Sequence, residues 1–117
     1  MGHTAVVRGR LMELLALETL PPEQADLAFV AGIFSLLDVM LNMPMASALG
    51  LLSLPEEISN ALLRREGFLG DLLTLAEACE SSDDSVFDRK AGVLHLSSQQ
   101  INFAHLQALA WADQLTD

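Results

Sequence analysis

An all-α fold is predicted by three features of this chain. Leu and Ala carry most of a hydrophobic fraction of 51% over 117 residues, strand formers are few and Tyr is absent. Apolar residues recur in steps of three and four, the spacing that lines one face of an α-helix. Proline, glycine and Ser-x-x-Glu/Gln signals punctuate the chain at helix-length intervals. The expectation is a single helical domain over residues 1–117, a compact bundle of about five to seven helices.

The first helix is predicted from about residue 5 to residue 19, with Val7, Leu11, Leu14 and Leu15 inward and Leu20 at its end. Gly9 weakens such a helix by roughly 1 kcal/mol relative to Ala, which points to another segment passing close by. Arg10 and Glu13 stand three apart and can pair. Arg8, Arg10 and Glu13 read as a site or as a solvated face, and the solvated face is the expectation. Leu20-Pro21-Pro22 ends the helix, because proline lacks a donor and disfavours helical geometry before it.

Residues 25–42, ADLAFVAGIFSLLDVMLN, are predicted to form the central buried helix, begun at about residue 23 with Glu23 and Asp26 in its first turn. Phe29, Val30, Ile33, Phe34, Leu37, Met40 and Leu41 make an apolar stripe, widened by Leu27 and Leu36. A thin line of small or polar residues remains: Gln24, Ala28, Ala31, Ser35, Asp38 and Asn42. The run approaches membrane-spanning length, but Asp38 and Pro44 argue against that role.

A short helical piece follows at residues 45–49 and closes at Gly50. Ser53 with Glu56 reads as a capping box ahead of a helix carrying Ile58, Leu62 and Leu63, with Gly67 as its left-handed cap. A helix from about Gly70 buries Leu72, Leu73, Leu75, Ala76 and Cys79. Ser81-Ser82-Asp83-Asp84-Ser85 reads as a surface loop, and residues 86–94 as one or two helical turns. Ser97 with Gln100 forms a second capping box, with Leu96 and Ile101 as the hydrophobic staple of the same start. The last helix, residues 98 to about 115, is predicted to bury Ile101, Ala104, Ala108, Trp111 and Leu115.

Six Lys+Arg against sixteen Asp+Glu give a net charge of −10, which opposes contact with nucleic acid or an anionic membrane. No partner of either kind is expected. The single cysteine, Cys79, rules out an internal disulfide, fits a reducing and therefore cytoplasmic compartment, and reads as a packed small hydrophobe. His3, His95 and His105 lack metal-ligand spacing, and Asp83-Asp84 lacks the alternating oxygen ligands of a calcium loop. Phosphate loops, GxSxG elbows and Cys/His nucleophile pairs are missing from the sequence. No catalytic residue, metal ligand or cofactor is therefore assigned. Ala31, Ser35, Asp38 and Asn42 are the candidate partner-contact face, set against the plainer reading of a side turned to solvent or to a neighbouring helix of the same domain.

Four segments resemble a known family: Arg8-Gly9-Arg10-Leu11-Met12-Glu13-Leu14-Leu15-Ala16, Ala28-Phe29-Val30-Ala31-Gly32-Ile33-Phe34-Ser35-Leu36-Leu37-Asp38, Met43-Pro44-Met45, and Leu54-Pro55-Glu56-Glu57-Ile58 on to Gly67-Phe68-Leu69-Gly70. They are similar to the C-terminal part of HDOD domains, most of all the subgroup that follows an EAL domain in bacterial cyclic di-GMP signalling proteins. The resemblance covers about residues 5–115. It implies an HD-type helical fold and a C-terminal fragment of an HDOD-like domain. It also implies regulation by protein contact, with an EAL-type or receiver (response-regulator) domain in cis or trans, in place of hydrolysis.

The corresponding helix of HD phosphohydrolases reads approximately AGLLHDIG, with the His-Asp pair as metal ligands. Aligned on Ala31-Gly32, this chain has Ser35-Leu36 at that pair. Sliding the alignment by two residues brings in Asp38 but no histidine. Two departures from the family are the missing Gly-Asp-Trp after Glu80 and the helices expected before Arg8. Apolar surface that those helices would cover is expected to make the fragment self-associate as a homo-oligomer. Two other readings stand beside this one: a small-molecule (nucleotide) sensor with its ligand between the central and last helices, and a residual HD phosphohydrolase.

Overall fold

Pro21 and Pro22 split the start of the chain into two helices that fold back on each other, α1 (Gly2–Thr19) and α2 (Pro22–Phe34). Pro22 occupies the first position of α2, where its missing N–H leaves no helical bond unmade. The computed structural model describes residues 2–116. Among these, six further helices follow: α3 (Leu37–Leu41), α4 (Met45–Leu49), α5 (Glu56–Arg64), α6 (Gly67–Ser81), α7 (Asp84–Leu94) and α8 (Ser98–Thr116). The fold is all-α, as composition and periodicity predicted, with a radius of gyration of 13.4 Å.

The spine of the bundle is α1. It packs most extensively on α2, then on α8 and α6, while α5 and α7 lean on α6. The large side chains removed from water come chiefly from α1 and α6: Leu11, Met12 and Leu15 from the first, Leu72, Leu73 and Leu75 from the second, joined by Ile58 and Ile101. Residues 25–42 are therefore not the centre of the domain, which corrects the prediction made from their apolar stripe. On α2 the buried residues are Ala25, Ala28, Ala31 and Gly32. Phe29, Val30, Ile33 and Phe34 are only half-buried, and Val39, Met40 and Leu41 are exposed.

The reason is a close helix crossing. A Cβ added to Gly32 would lie 2.7 Å from the Gly9 nitrogen, and one added to Gly9 would lie 2.9 Å from the Phe29 carbonyl oxygen. Two backbones this close admit only small residues between them, so the small-residue line of α2, not its bulky stripe, faces α1. Gly9 had signalled a close approach from sequence, and Gly32 is its counterpart.

The predicted helix also breaks in its middle, at Ser35-Leu36. The Ser35 hydroxyl donates to the Gly32 carbonyl oxygen at 2.7 Å, and such back-bonding competes with the helical ladder. Leu36 then leaves helical geometry at φ −109 and ψ 13. Pro22–Leu41 is the one stretch among the described residues long and apolar enough to cross a membrane. Here it is interrupted at Ser35-Leu36 and packed on α1 along its small side.

Some end signals held and others moved. Residues 45–49 are helical as predicted, and the Ser97 capping box forms with both bonds: the Ser97 N–H donates to Gln100 Oε1 at 2.8 Å and the Gln100 N–H to Ser97 Oγ at 3.1 Å. By contrast Pro55, not Ser53, precedes α5, with no side-chain cap. Arg65 takes the left-handed conformation that ends α5, and α6 begins at Gly67, three residues ahead of the predicted start. The polar stretch 81–85 is not an extended loop. Ser82 closes α6 in a left-handed conformation, and Asp83 accepts a bond from the Val86 N–H at 3.2 Å to open α7. Leu115 is 59% exposed instead of buried. His3 lies opposite Asp113, so Leu115 stands beyond the point where α8 passes the start of α1.

Replacing Gly32 by Ala forces α1 and α2 apart and is expected to cost about 2 kcal/mol in urea denaturation, within the usual range for overpacking. Gly92, in α7, has open space where a Cβ would go. Gly92→Ala is expected to stabilise by about 0.5–1 kcal/mol. Equal effects at the two glycines would contradict the close crossing.

Candidate functional site

Arg8 lies on α1 one residue before the Gly9 crossing, among Val7, Gly9, Leu11 and Met12, all buried. Its guanidinium cannot reach solvent along that face. It extends across the junction of α1, α2 and α6 and is fully engaged there. Nε donates to Glu80 Oε2 at 2.8 Å, Nη2 donates to Glu80 Oε1, and Nη1 donates to Ser35 Oγ at 2.9 Å. The carboxylate bond is bidentate, the strongest form of this pair. The Ser35 hydroxyl in turn donates a hydrogen bond to the Gly32 carbonyl oxygen. The solvated reading of Arg8 is therefore corrected: its side chain is 8% exposed against 27% for Glu80.

The electrostatics follow from this geometry. The hydrogen bonds to Glu80 hold the Arg8 guanidinium above its ordinary pKa, outweighing the lowering that burial imposes, with Glu80 and Glu77 adding favourable charge. A permanent cation sits where three helices meet, and the donor set leaves it oriented in one direction.

The rest of the predicted constellation is dispersed. Ala31 is fully buried against α1 and Ser35 is buried under Arg8, whereas Asp38 is half-buried and Asn42 exposed at the end of α3. These four residues do not form one open face. Arg10 and Glu13 do pair, at 2.7 Å. Arg10 also lies over the Trp111 ring at 5.1 Å, and Trp111 meets Phe29 edge-to-face at 6.0 Å. That stack joins α1, α2 and α8. Arg10 Nε is buried without a hydrogen-bond acceptor, so the indole face is what receives this part of the cation.

The histidines lie apart in role. His3 is within 3.1 Å of Asp113, His95 is the exposed left-handed residue ending α7, and His105 is half-buried on α8. Among the described residues no three His, Cys, Asp or Glu side chains converge in a metal-holding arrangement. Burial, and secondarily Glu80, push the Cys79 thiol up to about 11, so it stays protonated at neutral pH and is a poor nucleophile. Surface grooves are shallow. One of about 450 Å³ runs between α1 and α8 along Leu14, Leu17, Phe103 and Ala104.

Sequence reasoning did not connect Arg8 to Glu80, which lies 72 residues away. One local signal did exist: Arg8 stands in Val6-Val7-Arg8-Gly9, where both neighbours of the charge point to burial.

Comparison with known proteins finds two relatives. Over 113 residues the chain is 28% identical to the cyclic di-GMP phosphodiesterase CdgJ of Vibrio cholerae, and equally to the uncharacterized protein YuxH of Bacillus subtilis. Each alignment takes in 97% of this chain, but only 26% of the Vibrio protein and 27% of the Bacillus one. The chain thus spans about a quarter of the length of the curated relatives it matches. No family model matches the chain. No solved structure matches it.

Removing one partner of the buried pair is expected to be asymmetric. Glu80→Ala strands the enclosed guanidinium and should cost about 3 kcal/mol. Arg8→Met leaves Glu80 free to turn towards water and should cost distinctly less. Urea midpoints of the two variants at neutral pH measure this, and a larger loss for Arg8→Met would contradict the assigned geometry.

Proposed function

We propose that the chain is a non-catalytic regulatory and protein-interaction module of a cyclic di-GMP signalling protein, corresponding to the C-terminal part of an HDOD-type domain. The observation that carries this reading is the place of Ser35. In the resemblance to HD enzymes, Ser35-Leu36 takes the position of the metal-binding His-Asp pair, and Ser35 accepts a hydrogen bond from the buried Arg8 guanidinium. A fixed cation repels a divalent metal from the same point, and Glu80, the carboxylate that meets Arg8, is already committed to it in both of its oxygens. The residues present do not fit a metal there, and no hydrolytic step is assigned to them.

The alignment with CdgJ, which covers nearly the whole chain but about a quarter of that phosphodiesterase, supports the signalling context. In this reading the module acts in the cytoplasm by helix packing against an EAL-type or receiver domain, in cis or in trans. The net charge of −10 supports a protein partner over nucleic acid or an anionic membrane. A nucleotide-sensing role draws less support, because Phe29 of α2 and Trp111 of α8, which face the place such a ligand would take, are in contact with each other.

The purified chain, given magnesium or manganese, is expected to leave cyclic di-GMP and simple phosphodiesters uncleaved. A chimera in which it replaces the matching segment of the Vibrio phosphodiesterase is expected to differ in turnover from that enzyme lacking the segment. Hydrolysis by the chain alone, lost on Ser35→Ala, or a chimera indistinguishable from the shortened enzyme, would overturn the proposal.

A further inference from the structure

We infer that the outer face of α8 is a self-association surface, which packs antiparallel against α8 of a second copy of this chain. Phe103 and Leu106, at 63% and 65% exposure, are among the most exposed large apolar side chains described, and they share one face of α8 with Gln99, Ala110 and Gln114. The opposite face, Ile101, Ala104, Ala108 and Ala112, is spent on the core. The stripe borders the α1 groove at Phe103, stays largely exposed, and runs along a helix of 19 residues.

Charge selects the occupant. The chain carries −10 overall, so most pairs of faces on two copies repel each other. From residue 91 to residue 112 there is no Asp, Glu, Lys or Arg, so the middle of the α8 face brings no charge of its own against a second copy; Glu18 of α1 adjoins it at Gln100. Asp113, at the end of that stretch, lies against His3 of its own chain.

The order of side chains is also self-complementary. With a two-fold axis level with Leu106 and Gln107, Phe103 of each copy lies opposite Ala110 of the other, large against small. Gln99 lies opposite Gln114, amide against amide, and Asp113 opposite Gln100, whose amide donates to Glu18 of its own chain at 3.4 Å. An isologous contact needs this reversal symmetry, because each patch must complement itself. The apolar ridge at Val39, Met40, Leu41, Leu51 and Leu52 is exposed too. It is built from one five-residue helix and the turn after another, and offers no such register. The inference rests on the α8 face alone and is independent of the regulatory reading.

Sedimentation equilibrium of the full chain, from low micromolar to near-millimolar concentration, tests it. The wild-type chain is expected to shift from monomer to dimer as concentration rises. Leu106→Glu and Ala110→Glu, both at exposed positions, are expected to stay monomeric throughout with unchanged helical circular dichroism, while Leu51→Glu dimerises like the wild type. A wild-type chain that is monomeric throughout overturns the inference. So does a dimer that survives both α8 substitutions, or one that Leu51→Glu abolishes equally.

Discussion

A guanidinium cannot be left unpaired inside a protein, and the arrangement of α1, α2 and α6 is what satisfies that demand for Arg8. Its donors reach a carboxylate on α6 and a hydroxyl at the end of α2, and the hydroxyl reaches a carbonyl of its own helix. The links from Arg8 tie α1 to α6 and to the end of α2. The glycine crossing makes this possible, because only with Gly9 and Gly32 in contact does α2 end close enough for Ser35 to reach Arg8. A buried ion pair of this kind adds little net stability over well-packed apolar side chains, since desolvation offsets the attraction. Its effect is directional: few other packings of the same helices would satisfy the same donors.

The break between α2 and α3 belongs to the same set of contacts. Ser35 bonds back to Gly32 while accepting from Arg8, and the helical path stops there. Beyond that point α3 buries none of its residues and carries an exposed apolar ridge. One 20-residue run that reads as a single buried helix is thus two segments with different environments. The first is anchored on α1 by its alanines, and the second touches the core through the half-buried Leu37.

Local information in the sequence was legible and non-local information was not. The Ser97–Gln100 box, the Arg10–Glu13 pair and the short helix at residues 45–49 all rest on residues within a turn or two of each other, and each formed as read. The Pro21-Pro22 break and the close approach at Gly9 were equally visible. Arg8 with Glu80 joins residues far apart in sequence, and periodicity carries no record of which basic residue a distant carboxylate will meet. The inward face of α2 was misread for a related reason. Bulk usually marks the buried side of a helix, but a partner that is itself stripped to glycine reverses the rule. The extent of the loop at residues 81–85 was overestimated because Asp83 was counted as a polar loop residue when it is a helix cap.

The claim on which the rest depends is that Arg8 and Glu80 act as one unit joining α1 to α6. A double-mutant cycle with Arg8→Met and Glu80→Leu tests it most directly. If the two act together, the paired substitution costs less than the sum of the single ones by more than about 1 kcal/mol, since each single change already breaks the unit. Additive losses would mean that the two side chains contribute independently, and would contradict the account.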